Sequence, residues 1–123
     1  MNVKKDRFYE QGQIVYVNLG EGEGSEQGGV RPCIVIQNDT GNKFSTTTLV
    51  APITKEIKIG KSGKIQPTHY IIENYEDVGL PSKSMILFEQ IRCISKNRII
   101  KKNGLGKINL EEIKNNILTS FGI

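Results

Sequence analysis

Helical periodicity is confined to the last fifteen residues of this 123-residue chain, NLEEIKNNILTSFGI at 109–123. Leu110, Ile113, Ile117 and Phe121 recur there at three- and four-residue spacing and form one apolar stripe. Asn109 stands where a helix needs an N-cap, Glu112 completes a capping box, and Gly122 suits a helix end. Every other apolar run is short, rich in β-branched and aromatic residues, and bounded by turn residues. QIVYVNL (13–19), VRPCIVIQN (30–38), TTTLVAPIT (46–54) and THYIIENY (68–75) read as strands, and SMILFEQIRCI (84–94) reads as one bent strand or two short ones. VRPCIVIQN is apolar enough to be buried on both faces, with Pro32 near its start, where a missing N–H is tolerated. DTGNKFS is turn material, KEIKIGKSGK a flexible basic loop, SKNRII a helical turn, and a short strand is expected near GKI. Many short strands with one terminal helix predict a mainly β (α+β) fold: a small antiparallel β-barrel with a C-terminal α-helix packed on it. With no internal repeat and no linker, residues 1–123 are expected to form one domain.

Several function classes fall away on composition. Apolar runs of five or six residues are too short to span a bilayer. The N-terminal MNVKKDRFYEQGQ has no apolar stretch behind its lysines, so a secretory signal is not expected and the cytoplasm is the expected location. Cys33 and Cys93 are therefore expected to stay reduced. Two cysteines and one histidine, His69, cannot supply a four-ligand zinc site, and neither a metal nor another cofactor is expected. A net charge of +4 favours a polyanionic partner. The charge is concentrated: Arg92, Lys96, Arg98, Lys101, Lys102 and Lys107 stand together without an acid, and Lys55, Lys58, Lys61 and Lys64 are offset only by Glu56. Such runs attract phosphate backbones, although charge runs also occur as plain solvated faces.

The glycine-rich loop Gly20–Gly29 precedes the second strand. It is no dinucleotide fingerprint, because the spacing is wrong and a strand follows where a helix must open. Nor is it a P-loop, since no Gly-Lys-Ser or Gly-Lys-Thr ends it. What remains is a loop that offers Ser25, Glu26 and Gln27 beside Arg31. Pro32 restricts Arg31 to extended geometry, and a guanidinium fixed at a strand entrance can clamp a phosphate through two parallel hydrogen bonds. The same arginine could equally be a surface residue paired with Glu26.

The block GSEQGGVRP at 24–32, continuing as CIVIQND at 33–39, resembles the signature of MazF/PemK-type toxins, the ribonuclease halves of toxin–antitoxin pairs. GNKFS (41–45), VAPIT (50–54), PTH (67–69), SMILFEQIR (84–92) and the closing SFG (120–122) follow in the expected order, so the resemblance spans nearly the whole chain. It implies an SH3-like barrel of the CcdB/MazF kind, assembled as a homodimer. It implies a sequence-specific endoribonuclease that cuts single-stranded RNA without a metal, leaving a cyclic phosphate and a free 5′ hydroxyl. The family's catalytic arginine and threonine fall on Arg31 and Thr54, and its loop glutamate on Glu26. The implied partner is a MazE-like antitoxin with a disordered acidic tail that occupies the basic RNA groove. The loop from Lys55 to Gln66, longer and more basic than in typical relatives, and the acidic Glu21 and Glu23 depart from the family pattern.

The residue types suit this chemistry. Metal-free cleavage needs the 2′-OH to attack the adjacent phosphorus, with proton transfer to and from oxygen and stabilisation of the phosphorane charge. A two-histidine mechanism is excluded by the single His69. A guanidinium that stays protonated is a poor proton shuttle and a good electrostatic clamp, which assigns Arg31 chiefly to transition-state charge. Thr54 is expected to hydrogen-bond the phosphate or the nucleophile, and Glu26 either accepts a proton or binds a base edge. Ser25, Gln27, Gly28, Asn38, Ser84 and Gln90 are candidates for reading splayed bases, with Gln90 equally suited to tying strands together. His69 is expected to be structural, and the 92–107 run to be a peripheral steering surface. Two rivals stand beside this reading. One is a CcdB-like toxin that poisons DNA gyrase, whose C-terminal Trp-Gly-Ile is echoed by Phe121-Gly122-Ile123. The other is a non-catalytic RNA-binding barrel.

Overall fold

Strands β1 (Ile14–Asn18), β2 (Val30–Val35) and β3 (Thr47–Thr54) form the centre of the fold, antiparallel and in consecutive register. The computed structural model describes residues 8–101 and 105–123, without the side chain of Lys101. The charged N-terminal residues Lys4, Lys5, Asp6 and Arg7, and Lys102 of the basic run, lie outside the described residues. The apolar run 84–94 is two strands, β5 (Ser84–Leu87) and β6 (Arg92–Ser95), separated by a 3-10 turn at Phe88–Gln90. Both run along one edge of β3: β6 pairs with Thr47–Val50 and β5 with Ile53 and Thr54. Strand β4 (His69–Ile72) then pairs with β5, and β7 (Ile99–Lys101) with β1. The strand near GKI reduces to a single bridge between Gln13 and Lys107.

The expected barrel does not close. The strand order is β4-β5-β3-β2-β1-β7, with β6 also on β3, so β4 and β7 end the path and do not pair with each other. A helix lies against the β4 end of the path. α2 (Leu110–Phe121) packs on β4, and Asn116 donates from Nδ2 to the carbonyls of Pro67 and His69, each at 2.9 Å. The carbonyls beside the free side of β4 are thus satisfied by a side chain and not by another strand.

Alternation along the strands builds two cores. Ile14, Ile34, Ala51, Ile53, Ile86 and Phe88 pack with Ile108 and Ile113 beneath α2. Val15, Val17, Cys33, Val35, Val50 and Ile94 form the core on the other face. The second strand is buried on both sides only from Cys33 on; Val30 is 58% exposed, and Arg31 and Pro32 are half-buried. In α2, Asn109 accepts from the Glu111 N–H and Gly122 closes the helix at φ 72°. The apolar stripe ends early: Ile113 is buried and Ile117 half-buried, while Phe121 is 60% exposed. The stretch expected to be a turn contains a six-residue helix, α1 (Asp39–Phe44), capped by Asn38, whose Oδ1 accepts from the Gly41 N–H at 2.7 Å. Buried Asn42 anchors it from within, accepting from Thr48 Oγ1 at 2.7 Å and donating to the Gln37 carbonyl at 2.8 Å. No helix among the described residues is long and apolar enough to cross a membrane.

Candidate functional site

Where β2 begins and β3 ends, the sheet opens into a cleft. The β2–β3 register pairs Cys33 with Pro52. Arg31 and Thr54 each lie two residues beyond this last pair, at the start of β2 and the end of β3. Arg31 is half-buried, and its Nε donates to the Gly28 carbonyl at 3.0 Å. Its terminal nitrogens make no hydrogen bond among the described residues, so the guanidinium is tethered at one point and offers its fork. Thr54 is 8% exposed, and its Oγ1 accepts from the Glu56 N–H at 3.1 Å. The hydroxyl proton has no acceptor among the described residues and is free to donate.

Burial pushes the Cys33 thiol up to about 12 from 9.0, against the pull of the Arg31 and Arg92 guanidiniums. Both arginines therefore project their field toward this part of the sheet. Cys33 and Cys93 are free thiols on different strands.

The glycine loop is folded back on itself and pinned. A side chain at Gly28 would meet the backbone nitrogen of Gly22 at 2.5 Å, so the two strands of the loop touch backbone to backbone. Gln90 fastens the loop to the 3-10 turn. Its Oε1 accepts from the Gln27 N–H at 2.9 Å, and its Nε2 donates to the Ser25 carbonyl at 3.2 Å. Glu26 turns its carboxylate onto the loop, accepting from the Glu23 N–H at 3.0 Å. It does not pair with Arg31.

Two clefts flank this tie. The smaller, ≈ 190 Å³, is lined by Thr54, Ser25, Lys58, His69, Glu89 and Gln90, among others. That is below the ~300 Å³ at which complete small-ligand pockets begin, and it suits part of a longer chain. The larger, ≈ 390 Å³, is lined by Glu21, Glu26, Glu89, Gln90 and Arg92, among others. Gln27 borders both. Of the expected site residues, Ser25, Glu26, Gln27, Thr54 and Gln90 meet at these clefts; Arg31 and Gly28 line neither, and Arg31 reaches the loop through its bond to the Gly28 carbonyl. Asn38 and Ser84 line neither. Asn38 caps α1, and the buried Ser84 hydroxyl donates to the Ser82 carbonyl at 2.8 Å.

The basic run is no uniform peripheral surface. Arg92 lines the larger cleft and donates to the Leu19 carbonyl, Arg98 donates to the Asn18 carbonyl, and Lys96 is buried with its ammonium on the Asn42 carbonyl. Sequence reasoning missed Glu89, which lines both clefts, and treated His69 as structural although it lines the smaller one. The signal was the adjacency of Glu89 to Gln90 in EQIR. No three His, Cys, Asp or Glu side chains gather into a possible metal-holding group among the described residues.

Comparison with known proteins agrees with this picture. Residues 10–121 match the family described as PemK-like, MazF-like toxin of type II toxin–antitoxin systems. A curated relative, endoribonuclease MazF of Staphylococcus saprophyticus, is 43% identical over 114 residues, covering 92% of this chain and 91% of its own. Among solved structures, MazF from Deinococcus radiodurans superposes with a TM-score of 0.73 at 20% identity, over 94% of this chain and 98% of that one. A mycobacterial endoribonuclease in complex with its cognate antitoxin gives 0.71 at 16% identity, over 94% and 96%. At these identities the two structures speak for the fold.

Proposed function

The chain belongs to the PemK-like, MazF-like toxins of type II toxin–antitoxin systems, and on that premise we propose that Arg31 and Thr54 carry its cleavage of RNA. It is an endoribonuclease that cuts single-stranded RNA at specific sequences. In the proposed reaction the 2′-OH attacks the adjacent phosphorus, the bond to the 5′ oxygen breaks, and the products are a cyclic phosphate and a 5′-OH. No metal is needed for this route. The Arg31 fork meets the phosphorane oxygens, and the Thr54 hydroxyl donates to one of them. What supports this reading is that Arg31 and Thr54 each lie two residues beyond the last β2–β3 pair, the one a guanidinium tethered through Nε, the other a hydroxyl with a free proton beside a cleft. Glu26 borders the neighbouring cleft instead, which favours a base-edge role over proton transfer. Ser25, Gln27 and Gly28 offer loop groups to the bases, and Gln90 holds that loop in place.

The partners follow. The substrate is single-stranded RNA, steered by Lys58 and Arg92 at the clefts. The second partner is a MazE-like antitoxin whose acidic, disordered tail competes for the same groove. The working unit is a homodimer in the cytoplasm, with exposed Phe44, Phe121 and Ile123 as candidate interface residues.

A gel decides the central point. Purified protein, bare RNA and a metal chelator should give fragments with a cyclic phosphate on one side of the cut and a 5′-OH on the other. Intact RNA with trapped gyrase would favour the gyrase-poisoning rival instead.

A further inference from the structure

The Thr54 cleft holds a hydrogen-bonded His–Glu pair that the cleavage step does not use. His69 opens β4, is 8% exposed, and places Nε2 2.9 Å from Glu89 Oε2. Its Nδ1 is buried without a hydrogen-bond partner. A proton on Nδ1 would be an unsatisfied donor inside the protein, so the ring settles as the Nε2–H tautomer, with Nε2 donating to the carboxylate. The backbone beneath the ring is fixed as well: His69 pairs with Leu87 in the ladder, and its carbonyl accepts from Asn116.

Glu89 is thereby held by one oxygen. Its other oxygen accepts no hydrogen bond, and no Lys or Arg pairs with it among the described residues. Its side chain is 41% exposed and stands between the two clefts. An unneutralised carboxylate repels phosphate. The donors an RNA can offer it are the 2′-OH, which every nucleotide shares, and the N–H groups of base edges, which differ from base to base. Adenine, cytosine and guanine each carry an exocyclic amino group, whereas uracil carries carbonyl oxygens at the corresponding edges. We propose that Glu89 is a specificity-determining residue that accepts from the exocyclic amino group of a base beside the cut, and that His69 is the positioning residue that holds its carboxylate there. This rests on the nuclease reading above and adds a recognition rule to it. At this subsite uracil sets a carbonyl acceptor where the amino group would stand, its one edge donor being the ring N3–H, and is disfavoured.

The test uses the full chain and oligoribonucleotides built on its own cut sequence, with kcat/KM measured as each flanking base is replaced by uracil or by an analogue lacking the amino group. Wild type should show one position where either replacement costs about tenfold or more, the scale of a hydrogen bond to a charged group. Glu89→Gln, which gains a donor, should shrink that penalty to about threefold or less at that position alone. His69→Leu should shrink it in the same way, while His69→Gln, which keeps an N–H, should retain most of it. Melting temperatures report folding, and the exposed Glu89→Gln carries the test if a His69 variant fails to fold. An unchanged penalty in folded Glu89→Gln, or rates that fall in parallel for every substrate, would overturn the proposal. No cleavage by wild type under any condition would overturn the nuclease reading itself, and this one with it.

Discussion

Two of the three threonines of strand β3 have opposite fates. Thr48 pairs with Ile94 of β6, and it is fully buried, donating to Asn42 Oδ1. Thr54 lies where the β2 ladder has run out and only β5 continues, and its hydroxyl proton is uncommitted beside a cleft. Residue type and strand are the same, so the difference is one of neighbours. Where the fold sets an acceptor beside it, a buried polar side chain is satisfied internally, and it serves stability. At the strand end the ladder stops supplying partners, and the same group becomes available to a ligand.

The comparison breaks most sharply at Arg31. Arg31→Ala should lower kcat/KM by about a hundredfold or more, the scale of losing an electrostatic contact to a developing charge, while the melting temperature holds. Single-turnover cleavage and a thermal melt check the two halves. Thr48→Val should do the reverse, costing about 1–2 kcal/mol in denaturant unfolding with little change in cleavage. Thr54→Val should lower kcat/KM about tenfold and leave stability nearly intact. If both threonine variants lose activity and stability together, the division along β3 is wrong.

Alkaline unfolding probes the buried side of the same face. Cys33 stays protonated in the folded chain up to about 12, whereas in the unfolded chain it ionises above 9.0. Between those values the unfolded state binds fewer protons, so stability falls as pH rises, by up to about 1.4 kcal/mol per pH unit from this group. Below 9.0 it contributes no slope. Cys33→Ala should flatten this part of the alkaline decline, measured as the pH dependence of denaturant midpoints. The smallest effect is expected far from the cleft: Asn109→Ala removes the α2 cap and should cost about 1 kcal/mol without altering cleavage.

What could be read from the sequence follows the reach of the interactions. The strands, the C-terminal helix, its Asn109 cap and its Gly122 stop are local, and they stand nearly where periodicity and turn chemistry put them. Helix α1 was hidden because Asp39, Thr40 and Gly41 read as turn residues. It holds through the Asn38 cap and through Asn42, which bonds to residues on both sides of it in the chain. Barrel closure was illegible because a strand count does not say which ends pair. Asn116, on the helix, takes the place a closing strand would have filled at β4. Arg31 and Thr54 are legible through the family block around GSEQGGVRP and VAPIT, while nothing in the sequence shows that both lie just beyond the end of the β2–β3 ladder. His69 and Glu89 are twenty residues apart and meet because β4 runs back along β5. A lone histidine and one acid in a hydrophobic run do not announce such a pair.

The central claim is that one phosphate of the RNA lies between Arg31 and Thr54. A crystal structure of the chain with an RNA blocked at the reacting 2′-OH tests it most directly. The account predicts the scissile phosphate within about 3 Å of both an Arg31 terminal nitrogen and Thr54 Oγ1. A blocked RNA bound with that phosphate elsewhere, and with the Arg31 fork still facing solvent, would contradict it.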